Sequence, residues 1–357
     1  MSDDRLILAL AIHRAFGLRS REKERVFEAL RTPEEYSRFD LDDLAVCAGR
    51  PLSFRDWSSR DSIVAAERDL GICRSLGLDI VGLWESRYPP LLRETWDPPF
   101  LVFTRGNLPD AGRPALAAVG TRKPDNEALE ASWQLGFDAG GIGLPVISGL
   151  ATGVDSGAHR GTVEYGAATF AVLGSGIDTV YPAVHKALAA RMLDNGGGLL
   201  SEYPPGFPAL RHHFPERNRI IAALARWVAI VQAPERSGAL ITAEYALDCG
   251  RELVVHAAGV RSGERSAGTR ALAEDGAAVI RSPRDLPGIA LSRDESGRPE
   301  GMDDFSADAA SRDGTEDPGA YAGGSREAGH PSDVASLLAR RLDRELGLGE
   351  KEPAYGV

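Results

Sequence analysis

The sequence predicts an α/β fold, a doubly wound and mostly parallel sheet preceded by a small all-helical domain. Three observations carry this. The hydrophobic period is helical up to about residue 80 and changes near Gly112; from there short continuous apolar runs alternate with helical stretches; and glycine-rich turns follow the runs directly. Continuous apolar strands separated by helices are strands buried on both faces, the condition of a parallel sheet covered by helices.

The elements follow in chain order. In residues 1–82, "LILALAIHRAF" repeats its apolar residues at a helical period, "REKERVFEALRTPEEY" follows Ser20 as an N-cap, and "RDSIVAAERDLGICRSLGL" closes on Gly77 as a C-cap. Residues 83–111 hold two Pro-Pro pairs, which exclude regular helix and predict an extended connector feeding a strand at 100–104. The sheet domain, 112–285, has predicted strands at 115–119, 145–148, 169–173, 227–232, 252–256 and 277–280. Between them, "NEALEASWQLGFDAG", "VHKALAARMLDNG" and "ITAEYALDCG" read as helices. Residues 286–331 hold too little apolar surface to offset their ordering entropy and read as a flexible acidic linker. In 332–357, "SDVASLLARRLDRELGL" reads as one last amphipathic helix capped by Ser332.

Composition narrows the function. The 357 residues are 43% hydrophobic, enough for at least one full core. The apolar stretch 6–12 is short and flanked by charges, so it resembles neither a signal peptide nor a membrane span, and a cytoplasmic location is expected. Cys47, Cys73 and Cys249 lie far apart with no C-x-x-C pair, which argues against a disulfide framework or a metal site. The net charge of −11 counts against a nucleic-acid partner, but residues 291–333 carry eleven acidic and four basic side chains. The remainder is near balance and leaves room for a local basic groove.

In an open α/β sheet, ligands bind beyond the carboxyl ends of the strands, where helix N-termini present N–H groups. "AVGTRKP" places Gly120, Thr121 and Arg122 there: glycine admits a phosphate to the backbone, the hydroxyl adds a donor, and the guanidinium grips phosphate. "VISGLATGVDSGAHRGTV" ends a strand at Gly149 and sets Asp155 and His159 one helical turn apart. That pair either orients an imidazole for proton transfer or phosphate binding, or serves as a helix cap and a histidine bonded to a neighbouring loop. "LGSGIDTVYP" lacks the G-x-G-x-x-G spacing of a dinucleotide turn, yet Gly174, Ser175 and Gly176 offer a concave N–H array for one phosphate. "RHHFPERNRIIAALA" concentrates Arg211, Arg217 and Arg219; an R-x-R spacing cannot aim both arginines at one spot, so one is expected to pair internally. "ERSGALITAEY" opens a helix at Ser237 and Gly238 beside Arg236.

These loops, in this order, closely resemble the DNA-processing protein A family (DprA, also called Smf) over residues 84–280. The resemblance implies an extended Rossmann-like domain behind a SAM-like helical domain. It implies a non-enzymatic protein, without cofactor or metal, that binds single-stranded DNA, forms a homodimer through the Rossmann-like domain and loads the RecA recombinase onto incoming strands during natural transformation. Carried over by position, Arg122 matches the arginine of the family's phosphate contact, and Gly174, Ser175 and Gly176 match the loop lining the same site. Phe214, Arg217, Asn218 and Arg219 match "F-x-x-R-N-R", and Ser237 with Gly238 match "R-S-G-A/S-L-I-T". After Tyr181-Pro182 the family's usual lysine is Ala183, with Lys186 the nearest cation. Ala258, Thr269 and Arg270 replace the Pro, Cys and Asn of a later loop, and the family's C-terminal winged-helix domain is expected to be absent or degenerate. Two other readings compete. One is a phosphoribohydrolase-type enzyme cleaving nucleoside monophosphates, to which "SGALITAEY" with Glu244 is distantly similar although its Pro-Gly-Gly-x-Gly-Thr loop is missing. The other is a scaffold with a vestigial DNA site.

Overall fold

A computed structural model of the chain describes residues 2–52 and 57–289. The acidic segment from residue 290 and the helix read at 332–348 lie outside the described residues. Helices α1 (Asp3–His13), α2 (Ser20–Ala29), α3 (Pro33–Tyr36), α4 (Leu41–Ala48) and α5 (Ser59–Ser75) open the chain. Ser20 is the first residue inside α2 rather than its cap; the Glu22 carboxylate reaches back to accept the Arg19 N–H at 2.8 Å. Helix α5 ends as read: Gly77, at φ 63°, turns the chain so that the Leu78 N–H reaches the Cys73 carbonyl at 2.8 Å.

Strand β1 (Asp79–Gly82), helix α6 (Pro90–Arg93) and strand β2 (Leu101–Gly106) follow. The connector is therefore not free of helix. Pro90 occupies the first helical position of α6, where a missing N–H leaves no bond unmade. The α/β body then runs β3 (Leu116–Val119), α7 (Asn126–Gly141), β4 (Val146–Ser148), α8 (Val154–Tyr165), β5 (Thr169–Leu173), α9 (Lys186–Asp194), β6 (Gly198–Ser201), α10 (His213–Leu224), β7 (Trp227–Ile230), α11 (Gly238–Asp248), β8 (Glu252–His256), α12 (Ala267–Glu274) and β9 (Ala278–Ile280). Sequence periodicity missed β1 and β6, each four residues long; in β6 the preceding glycine run reads as a turn.

The strands form one sheet in the order β1-β2-β6-β5-β4-β3-β7-β8-β9. From β6 to β9 every neighbouring pair is parallel, while β2 runs antiparallel to both β1 and β6. Alternate residues face opposite layers. Ala117 and Val119 of β3 pack with Ile220 of α10 and Ala239 of α11, whereas Leu116 and Ala118 pack with Ala128 of α7 and Ala158 of α8. The helical region shares a core with the sheet edge, since Leu8, Ile12 and Val26 join Phe100, Leu101, Phe103 and Leu173 in one apolar cluster. His13 closes that seam, stacked on Phe100 and bonded to the Glu202 carbonyl at 2.9 Å.

Two features of this topology position the site. Helices α7 and α8 pack backbone to backbone, because a side chain on Gly161 would run into the Trp133 carbonyl. And the chain leaves β3 toward β4 on one side but leaves β7 toward β8 on the other. The carboxyl ends of β3 and β7 therefore flank the crevice at which open α/β sheets bind ligands.

Candidate functional site

That crevice is a cleft of about 400 Å³, lined by the loop after β3 (Gly120, Thr121, Arg122), by α10 with its preceding loop (Arg211, Phe214, Arg217, Asn218) and by the loop after β7 (Arg236, Ser237, Gly238). The β3 loop is held from below. The Thr121 N–H donates to the Gln232 carbonyl at 2.7 Å, and a Cβ on Gly120 would approach that same oxygen to 2.9 Å and the Val154 side chain to 2.6 Å. Only glycine lets the strand pass there, so Arg122 is presented outward on a fixed backbone. Its guanidinium lies 5.1 Å from the Phe214 ring centroid, a cation–π distance, and the ring is itself packed at 5.6 Å against the exposed Tyr181.

Three exposed arginines, Arg122, Arg211 and Arg236, enter the cleft from three different loops. None of the ion pairs among the described residues involves them. Ser237 caps α11, its Oγ accepting the Ala239 N–H at 3.2 Å, so the positive end of an eleven-residue helix also points at this space. Asn218 ties α10 to that turn by donating to the Gly238 carbonyl at 3.3 Å. The arrangement is suited to a multiply charged anion with a planar apolar portion.

The two arginines of the R-N-R motif do different work. Both are internal, where sequence reasoning placed only one inside. They lie in the second turn of a helix that starts at His213, not at its opening. Arg217 is 4% exposed and donates to the Gly149 carbonyl at 2.9 Å and to the Val172 carbonyl, tying the ends of β4 and β5 together. Burial pushes its pKa down to about 10, opposed by the nearby Asp155 charge, so it stays cationic at neutral pH. Arg219 binds the Glu202 carboxylate at 2.5 Å and the Asp97 carbonyl at 2.8 Å, anchoring the connector to the end of β6.

Asp155 accepts the N–H groups of Gly149 at 3.1 Å and Ala151 at 3.4 Å, holding a loop in which Leu150 takes a left-handed φ of 56°. His159 does not bond Asp155. Its Nδ1 lies 2.7 Å from the Thr169 hydroxyl, which itself donates to the Val146 carbonyl at 2.8 Å, so Nδ1 carries the proton and Thr169 accepts it. Burial, with the His185 and Arg217 charges, drives its pKa down to about 3. The histidine is a neutral packing group in the floor, and its partner stands on strand β5.

In the Gly174-Ser175-Gly176 turn two of the donors are already engaged. The Gly176 N–H donates to the Phe207 carbonyl at 2.9 Å, the Ser175 hydroxyl donates to the Thr179 carbonyl at 2.9 Å, and none of the three lines the cleft. What this turn contributes is space: a Cβ on Gly174 would come within 2.9 Å of the Phe214 ring. Lys186 is exposed at the start of α9 and also lies outside the cleft lining. Sequence reasoning named Arg211 and Arg236 but did not include them in the site, and it missed Gln232. The amide of Gln232 binds Asp125 at 2.7 Å and 3.0 Å and sets the floor of the β3 loop. No local signal marks a glutamine two residues past a strand. Among the described residues no group of three or more His, Cys, Asp or Glu is placed to hold a metal ion, and no helix is long and apolar enough to cross a membrane.

Residues 79–288 match the family model for DNA recombination-mediator protein A. The DNA processing protein DprA of Streptococcus pneumoniae is 38% identical over 201 residues, 56% of this chain and 70% of that protein. Its X-ray structure superposes with a TM-score of 0.61 at 30% identity, covering 77% of this chain and 94% of that one. Protein Smf of Escherichia coli is 38% identical over 201 residues, 56% of this chain and 53% of the relative, so the chain spans about half the length of that protein. A structure of DNA processing protein A from Helicobacter pylori, described for its single-stranded DNA binding mode, superposes with a TM-score of 0.50 at 26% identity over 56% of this chain and 89% of that one.

Proposed function

The chain belongs to the DNA recombination-mediator protein A family, and from that premise we propose that it binds single-stranded DNA in the cleft between β3 and β7. The observation that carries this reading is that Arg122, Arg211 and Arg236 line one cleft together with Phe214, over whose ring Arg122 lies. The arginines take the phosphates, and Phe214 with Tyr181 offers a stacking surface to bases, the two components of sequence-tolerant single-strand binding. A duplex keeps its bases stacked on each other and leaves that surface unused. The chain acts without catalysis, delivering bound strand to the RecA recombinase as a homodimer in the cytoplasm, during transformation. The glutamate on which the enzymatic alternative depends, Glu244, does not line the cleft.

The test is fluorescence anisotropy of a labelled single-stranded oligonucleotide across a salt series, with duplex as competitor. Wild type binds with single-strand preference and with affinity falling steeply with salt. Arg122→Ala lowers affinity and reduces the slope of log K against log salt by about 0.7, the release expected from one single-strand phosphate. Wild-type binding that is absent at low salt, or a slope unchanged in the variant, refutes the reading.

A further inference from the structure

A second groove opens on the far side of Arg122, toward helices α7 and α8. Arg122 lines both spaces, so the two meet at one side chain. Its lining includes the exposed cations Lys123 and Arg160 and one acid, Glu130. It also includes Trp133, whose indole stacks on Phe137 at 5.1 Å and 21° and is fixed by a 3.0 Å bond from its N–H to the Glu164 carboxylate. Because the glycine seam brings α7 and α8 into backbone contact, this aromatic rests on a rigid pair of helices.

We propose that this groove is a second subsite for the same strand: single-stranded DNA leaves the cleft over Arg122, runs along Lys123 and Arg160, and stacks a base on Trp133. This rests on the reading of the first cleft. Three observations select a single strand as the occupant. The groove shares Arg122 with the first cleft, its cations outnumber its acid, and its apolar element is a planar ring held by a hydrogen bond at its edge. A base has the matching planar face, and a backbone phosphate the matching charge.

The experiment compares oligothymidylates of about four and about twelve nucleotides, spanning the range of single-strand site sizes. Only the longer reaches the second groove. Trp133→Ala and, independently, Arg160→Glu are expected to leave the short oligonucleotide's affinity unchanged and to weaken the longer one, by roughly five-fold or more for the tryptophan. Trp133→Phe, which keeps an aromatic face, retains most of it. Unchanged short-oligonucleotide binding also shows that each variant is folded, and Arg160, being exposed, carries the test if Trp133→Ala fails to fold. Equal losses at both lengths, or no loss at either, overturn the second subsite. If Arg122→Ala leaves both lengths unaffected, the reading of the first cleft fails instead.

Discussion

Arg217 sits inside the R-N-R motif, yet its geometry makes it a structural clamp, and Arg217→Met separates the two roles. The substitution keeps the length and apolar body of the side chain and removes its donors. Two buried carbonyls, Gly149 and Val172, then lose their guanidinium partner, each at a cost of about 1–3 kcal/mol. Buried Asp155 also loses its nearest opposing charge. The terms overlap, and breaking a buried charged contact of this kind costs about 3–5 kcal/mol in all. In a body of this size that lowers Tm by roughly 6–20 °C.

A pH dependence sharpens the test. Burial raises the Asp155 carboxyl above the usual range, with Arg217 opposing. A carboxyl with a raised folded pKa contributes stability that is present below its unfolded pKa and lost as pH rises through the folded value. Removing Arg217 raises the folded value further, so the deficit of Arg217→Met should widen toward neutral pH and shrink in acid. Asp155→Asn in the same chain should recover part of it. Thermal unfolding followed by circular dichroism at two pH values measures all of this. An unchanged Tm together with lost single-strand binding would refute the clamp and make Arg217 a DNA contact.

Other outcomes follow from the same geometry. His13 and His159 are buried with depressed folded pKa values, so the stability they confer is present above about pH 6.5 and lost as pH falls. Each adds a slope of about 1.4 kcal/mol per pH unit below that point, and urea titrations of His159→Gln should show a slope shallower by one proton. Gly161→Ala forces a methyl into the Trp133 carbonyl and should cost on the order of 3 kcal/mol by the same titration. A variant as stable as wild type would mean that α7 and α8 separate freely. Ala183→Lys restores a cation next to Tyr181 on exposed chain; we expect tighter single-strand binding and a salt slope steeper by about 0.7. An unchanged slope would place residue 183 away from the strand.

Much of this protein was legible in the sequence because its signals are local. The α/β alternation, strands β3, β4, β5, β7, β8 and β9, the Gly77 terminus of α5 and the Ser237 cap of α11 each depend on a handful of adjacent residues. So does the identification of Gly120 and Arg122 as an outward turn after a strand, since a glycine there answers to one crossing backbone and the arginine to none. The tertiary structure alone decided which charges are free. Arg211, Arg217 and Arg219 are equal in the sequence, but only Arg211 lines the cleft without an internal partner; Arg217 closes the gap between β4 and β5, and Arg219 meets Glu202 and the carbonyl of Asp97, 122 residues away. The Gly174-Ser175-Gly176 turn shows the same limit: the Gly176 N–H is taken by the Phe207 carbonyl, the Ser175 hydroxyl by the Thr179 carbonyl, and Gly174 seats the Phe214 ring. Whether a polar group is available to a ligand depends on what distant chain reaches it first, and the order of strands in the sheet settles that.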